Sequence, residues 1–303
     1  MVDKHIFWIA SYPKSGNTII RALISSLFFS NEGLFDFNML KNIPIIEDTI
    51  NLEFIKEISQ EDYKNIHNLE TLSKYWLNMQ SKKNLGFDGD FMFVKTHHAL
   101  VKINDNPFTT QENTRGIIYV VRDPRDIALS MSNHFNFSTN KSVSSLVNEN
   151  FNVIWKDTHK LYLNKRKPIT CVSSWENHYL SWCEKSFSCP KLIIKFEDIV
   201  YKKKEVIDKL IDFFTKNYNF QFSNLDKKIP NIIEQTSFKK LKQKEKEQGF
   251  HEAVNDNFFN KGKKNQWQEG LSKKEVHTIE NKFLKILEKF KYKSINYKQS
   301  EGK

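Results

Sequence analysis

The 303-residue chain has little cysteine and little arginine, and it lacks a long apolar run. Its three cysteines, Cys171, Cys183 and Cys189, are odd in number, and none stands in a CxxC pair. That speaks against a disulfide framework and against a zinc or redox pair, and it fits a reducing compartment. No stretch of about 18 apolar residues occurs, so no membrane-spanning helix and no membrane partner are expected. The N-terminal apolar run is brief and broken by Ser11 and Lys14, unlike the core of a secretory signal. These absences predict a soluble, cytoplasmic protein. No internal repeat or linker divides the chain, and its length suits one large domain over residues 1–303. The GxxxxGK[ST] pattern of nucleoside triphosphatases is also missing, and no apolar strand ends in a magnesium-binding Asp.

What is present starts with charge. Forty-seven Lys and Arg against 36 Asp and Glu give a net charge of +11, which suits anionic partners such as nucleotides. Only five of the basic residues are Arg (Arg21, Arg115, Arg122, Arg125 and Arg166), and a Lys excess often spreads over solvated faces. Charge alone therefore selects no partner, nucleic acid included. Short β-branched and aromatic runs at 6–10, 91–95, 116–121 and 191–196 read as buried strands. Amphipathic stretches at 17–29, 174–185, 204–216 and 273–290 read as helices. The alternation predicts an α/β fold with a central parallel sheet, five-stranded or similar, flanked by helices. Residues 31–90 hold few strand signals and read as a helical excursion around Trp76 that shapes a substrate pocket. The charged run 239–248 reads as a solvated helix or a loop.

The segment IFWIASYPKSGNTIIRALI sets an apolar strand, a short loop and an apolar helix in succession. Open N–H groups and the dipole at the helix start favour an anion, Gly16 lets the backbone approach, and Lys14 adds a full charge. Ser15 and Thr18 offer hydroxyls beside Asn17. An ordinary strand-to-helix turn capped near Asn17 or Thr18 is the plainer alternative. The order SYPKSGNT resembles the 5'-phosphosulfate loop of sulfotransferases that use 3'-phosphoadenosine 5'-phosphosulfate (PAPS), although Ile19 stands where that family has Trp. The resemblance implies a P-loop-like domain, PAPS as co-substrate and 3'-phosphoadenosine 5'-phosphate (PAP) as product, with no metal.

Later segments extend the resemblance in the family's order. Arg122 at a strand end and Ser130 eight residues on match the 3'-phosphate motif, and a guanidinium fork with a hydroxyl is a natural grip on a phosphate monoester. An Arg122 to Asp126 ion pair is the alternative there. Lys95-Thr96-His97 matches the family's KTH. Transfer requires the acceptor oxygen to lose a proton, so His97 is the candidate general base, Lys14 would neutralise the leaving oxygen and Lys95 the sulfuryl oxygens. His98 has no counterpart in the motif and reads as structural. Thr236 and Phe238 of QTSFKK match the adenine-binding TSF, whereas Phe196 replaces the family's Tyr in KFEDI. FFNKGKKNQW resembles the loop that closes over the nucleotide, placing Lys261 and Gly262 at the donor, with Asn260 in place of an Arg.

The expected activity is sulfuryl transfer to a hydroxyl or amine of a small-molecule acceptor. A P-loop-type small-molecule or nucleotide kinase, and a non-catalytic nucleotide-binding protein, are the alternatives. The acceptor is not encoded in these motifs, since acceptor pockets are built from variable loops, here 31–90, 133–170 and 239–257. The family's short dimerisation motif is not recognisable, which leaves the oligomeric state open.

Overall fold

The computed structural model describes residues 4–47, 58–154, 168–250, 252, 258–259 and 262–295. Strands β1 (Ile6–Ser11), β2 (Met92–Thr96), β3 (Thr114–Val121) and β4 (Lys191–Lys195) form one sheet, every pairing in it parallel. The spatial order is β2-β1-β3-β4, so the sheet has four strands among the described residues rather than five. All six β1 residues are buried, as a central parallel strand with both faces covered demands.

Side-chain alternation along these strands divides the interior in two. Ile6, Trp8 and Ala10 of β1 and Ile117, Tyr119 and Val121 of β3 face one core. Phe7 and Ile9, with Ile118 and Val120, face the other. The first core is closed by α2 (Pro124–Phe135), α3 (Trp175–Cys183) and α7 (Lys273–Lys289). The second is closed by α1 (Asn17–Phe29), α4 (Lys203–Tyr218), α5 (Leu225–Gln235) and α6 (Phe238–Gln248). The expected helices therefore form, with ends within two residues of their sequence bounds. The charged run 239–248 is helix α6, and it buries Leu241 and Glu245.

The excursion between α1 and β2 is helical where described. It holds a 3-10 turn at Phe37–Asn42 and short helices at Gln60–Lys64, Leu69–Ser73 and Trp76–Met79. Trp76 packs edge-on against His98 and Phe108, which ties the excursion to the residues following β2. Residues 44–46 run beside β2: Lys95 N–H donates to Pro44 O at 2.8 Å, and Ile46 N–H donates to Lys95 O at 3.0 Å.

Candidate active site

Parallel pairing puts the carboxyl ends of the four strands on one edge, with Ala10 beside Thr96 and Ser11 beside Val120. The residues that follow the strands gather there. Chain order reverses around β1, which leaves a crevice between β1 and β3 where open α/β sheets take their ligands.

From β1 the chain turns through Pro13, Lys14, Ser15 and Gly16 into α1. Ser15 N–H closes the turn on Tyr12 O at 3.2 Å, and the Gly16 carbonyl accepts from Ile19 and Ile20. The amides of Gly16, Asn17 and Thr18 have no acceptor among the described residues, as expected of a helix start. Lys14 takes a left-handed backbone at φ 68°, a costly conformation for a lysine, of the kind that clusters at ligand sites. The Ser15 hydroxyl is buried without a partner among the described residues. Asn17 turns inward instead, donating to Ile9 O and Ser11 Oγ, both at 3.1 Å, so it offers an incoming anion its backbone amide alone. Gly16 has φ 98°, and a Cβ there would lie 2.4 Å from the Phe196 ring. Gly16→Ala is expected to cost more than about 1 kcal/mol of stability. An unchanged melting temperature on thermal denaturation would contradict this packing.

Arg122 follows β3 and reaches across the crevice. Its Nη1 donates to the Lys14 carbonyl at 2.9 Å, its guanidinium lies 4.4 Å from the Phe196 ring centroid, and its Nε is buried without a partner among the described residues. Phe196 therefore does more than lack a hydroxyl: it packs against Gly16 and carries Arg122 on its face. Arg122 forms no ion pair among the described residues. The Asp126 carboxylate accepts instead from Asn265 N–H at 2.8 Å and Trp267 N–H at 3.0 Å, fastening the C-terminal loop to α2. Ser130 is half-buried on α2. The other motif-adjacent arginines are structural. Arg125 pairs with Asp123 and Glu280 at 2.7 and 2.6 Å, and Arg21 pairs with Glu252 at 2.7 Å.

Lys95, Thr96, His97 and His98 at the carboxyl end of β2 complete the group. His97 Nδ1 lies 2.7 Å from the Ser11 carbonyl, which can only accept, so Nδ1 carries the proton and Nε2 is the basic nitrogen. The His97 carbonyl accepts from His178 Nε2 at 3.1 Å, and His178 Nδ1 accepts from the Tyr119 hydroxyl at 2.8 Å. Burial and then the Lys95 charge push the His97 imidazole well below its usual pKa, which keeps it neutral. Lys95 meets Glu47 at 3.3 Å, a carboxylate that sequence reasoning did not single out. His98 is buried, stacked on Phe108 with centroids 4.6 Å apart, and its Nδ1 accepts from Cys171 N–H, so its reading as structural holds.

The remaining positions lie farther round the edge. Phe238 opens α6, edge-on to Phe196 at 6.4 Å, with Gly262 against its ring so closely that a Cβ would fall 2.5 Å away. The Thr236 hydroxyl is buried, donating to Ile232 O at 2.6 Å and accepting from Lys203 at 3.1 Å. Lys261 and Asn260 lie outside the described residues. Glu245 of α6, missed in the sequence, accepts from the amides of Phe258 and Phe259 and holds that segment, while Lys14 Nζ lies 4.8 Å from the Phe258 ring centroid.

A protein-family profile described as sulfotransferase domain matches residues 4–291. Over 239 residues the chain is 25% identical to dog sulfotransferase 1B1, covering 77% of this chain and 65% of that protein. It is 23% identical over 244 residues to rat sulfotransferase 1E1, with 77% and 65% covered, and 23% identical over 239 residues to the luciferin sulfotransferase of Photinus pyralis, with 77% and 56% covered. The chain thus spans less than two thirds of the length of these relatives. Among solved structures, a mouse sulfotransferase complexed with PAP superposes with a TM-score of 0.55 at 16% identity, covering 94% of this chain and 84% of that one. Retinol dehydratase in complex with androsterone and inactive cofactor PAP gives 0.56 at 18% identity, covering 93% and 80%. At such identities the likeness is one of fold, a central parallel sheet flanked by helices. The family profile covers nearly all of the sequence, and the chain belongs to the sulfotransferase domain family.

Proposed function

We propose that the chain is a PAPS-dependent sulfotransferase that moves a sulfuryl group to a hydroxyl or amine of a small-molecule acceptor, with His97 as general base. The observation that carries this reading is the 2.7 Å hydrogen bond from His97 Nδ1 to the Ser11 carbonyl. It ties the base to the residue from which the phosphate loop departs and directs the proton-accepting Nε2 away from that bond. Neighbours complexed with PAP support the nucleotide, and those holding androsterone or retinol support a small acceptor.

The residues present fit the donor. The partnerless Ser15 hydroxyl, the partnerless Arg122 Nε and the close approach allowed at Gly16 are what an anionic group on this loop needs. Lys14, Ser15, Gly16, Asn17 and Thr18 would hold the 5' end, Arg122 and Ser130 the 3'-phosphate, and Phe238 with Gly262 the base side. PAPS supplies the sulfuryl group and departs as PAP. In that step His97 Nε2 takes the proton from the acceptor oxygen as it bonds to sulfur. Lys14 neutralises the charge gathering on the phosphate oxygen released from sulfur, and Lys95 faces the sulfuryl oxygens. No metal enters the scheme. The three free cysteines suit the reducing conditions of a cytoplasmic enzyme.

The test is transfer of label from sulfur-35 PAPS to a panel of phenols, alcohols, amines and saccharides, expected to give a labelled product and an equal amount of PAP. Magnesium-dependent phosphoryl transfer from ATP, with none from PAPS, would overturn the proposal in favour of a kinase.

A further inference from the structure

We infer that Glu47 is a positioning residue for the transfer step, its carboxylate fixing the base His97 and its neighbour Lys95 as one unit. The inference rests on the sulfotransferase reading for the identity of that step, and on geometry for the rest. Glu47 belongs to the excursion after α1 and is 3% exposed. The bridge between residues 44–46 and Lys95 delivers it to the end of β2. One carboxylate then accepts from four consecutive residues. Oε2 takes the Lys95 ammonium at 3.3 Å, while Oε1 takes the Thr96 hydroxyl at 2.8 Å, the His97 N–H, and the His98 N–H at 3.3 Å.

Burying a carboxylate this deeply is costly unless its lone pairs are filled, and here they are filled by Lys95 and His97, which the proposed step uses, and by Thr96 and His98 beside them. His97 is thereby held at three points from three parts of the fold. Glu47 holds its amide, His178 its carbonyl and the Ser11 carbonyl its ring. Glu47 contacts both Lys95 and the His97 backbone with one side chain, and its bond to His97 is made at the backbone amide. Its charge matters as well as its shape. The groups facing it are Lys95 of β2 and His97 and His98 just after it, with His178 of α3 behind His97 and the Arg21–Glu252 pair close to Lys95. Burial resists ionisation of Glu47, yet the Lys95 charge, then the His97 and His98 imidazoles and the bond from the His97 amide, hold its pKa down to about 2. The negative charge in turn supports the protonated forms of Lys95 and His97.

Glu47→Gln keeps the shape and removes the charge, and Glu47→Asp keeps the charge and shortens the reach. Glu47→Gln is expected to lower kcat by about 10²-fold, the scale of a base displaced by an ångström, while PAP binds as it does to the wild type. Both limbs of its kcat against pH profile should move to lower pH, because His97 and Lys95 each lose a stabilising negative charge. Glu47→Asp, if slower, should keep the wild-type limbs. Nitrogen-15 spectra of histidine-labelled protein give a reading independent of turnover. The His97 Nδ1–H resonance, identified by its absence from His97→Ala, should shift in Glu47→Gln. Wild-type kcat in Glu47→Gln, or a slower enzyme with unmoved limbs and an unmoved resonance, would overturn the inference. Absence of any transfer by the wild type would instead count against the sulfotransferase reading, and the resonance would still decide the role of Glu47.

Discussion

Replacing Lys14 with methionine is expected to slow sulfuryl transfer by about 10² to 10³-fold, the usual loss when one preorganised donor to developing charge is removed. Methionine keeps most of the apolar stem and removes the ammonium, so a structural role would survive the change. The structure gives Lys14 an unusual setting: a left-handed backbone, a carbonyl held by Arg122 at 2.9 Å, and an ammonium over the Phe258 ring. Burial, and then the Arg122 charge, lower its pKa to about 7. The free protein therefore loses this positive charge as pH rises through neutrality. Bound phosphate favours the protonated form, so PAP affinity should fall between pH 7 and pH 9 in the wild type. The fall should be absent in Lys14→Met. Calorimetric PAP titrations across that range, alongside kcat at saturating PAPS, check both parts, and near-wild-type turnover in Lys14→Met would remove this lysine from the step.

His97→Ala is expected to lower kcat by about 10² to 10⁴-fold, the range for removing a general base. PAP affinity should hold, because the bond from His97 goes to Ser11 O and not to the phosphate loop amides. The wild-type profile should keep its acid limb below pH 6.5. Burial and the Lys95 charge lower the His97 pKa, so the imidazole stays a competent base until the pH drops beneath that lowered value. Full activity in His97→Ala would leave no base among its neighbours. His98 is stacked in the core, and the His178 nitrogens are committed to Tyr119 and His97 O.

The four strands and the long helices were legible because each carries its own local pattern. Ile6 to Ala10 is apolar throughout, and Lys273–Lys289 follows Ser272, which forms a capping box with Glu275. The candidate loop at 12–18 and residues 95–98 stood out for the same reason: the proposed chemistry sits in four to eight consecutive residues. Glu47 was not legible. It reaches His97 from 50 positions away, through a bridge between residues 44–46 and β2 that no local pattern announces. His178 and Tyr119 support His97 from still other elements. Substitutions against the family pattern were easy to see but hard to weigh. Phe196 read as a replaced Tyr, and the structure makes it the surface on which Arg122 rests. Arg21 and Arg125, close in sequence to Gly16 and Arg122, serve buried pairs with carboxylates distant in sequence.

Donor recognition is tested most directly by thermal unfolding of the protein with PAP, compared with ADP, which lacks the 3'-phosphate. PAP at 100 times its dissociation constant should stabilise the native state by about 2.7 kcal/mol. ADP should stabilise it less, and Arg122→Ala should erase the difference between the two nucleotides. An unmoved transition with millimolar PAP, together with stabilisation by magnesium ATP, would contradict a PAPS site at the carboxyl edge of β1 and β3.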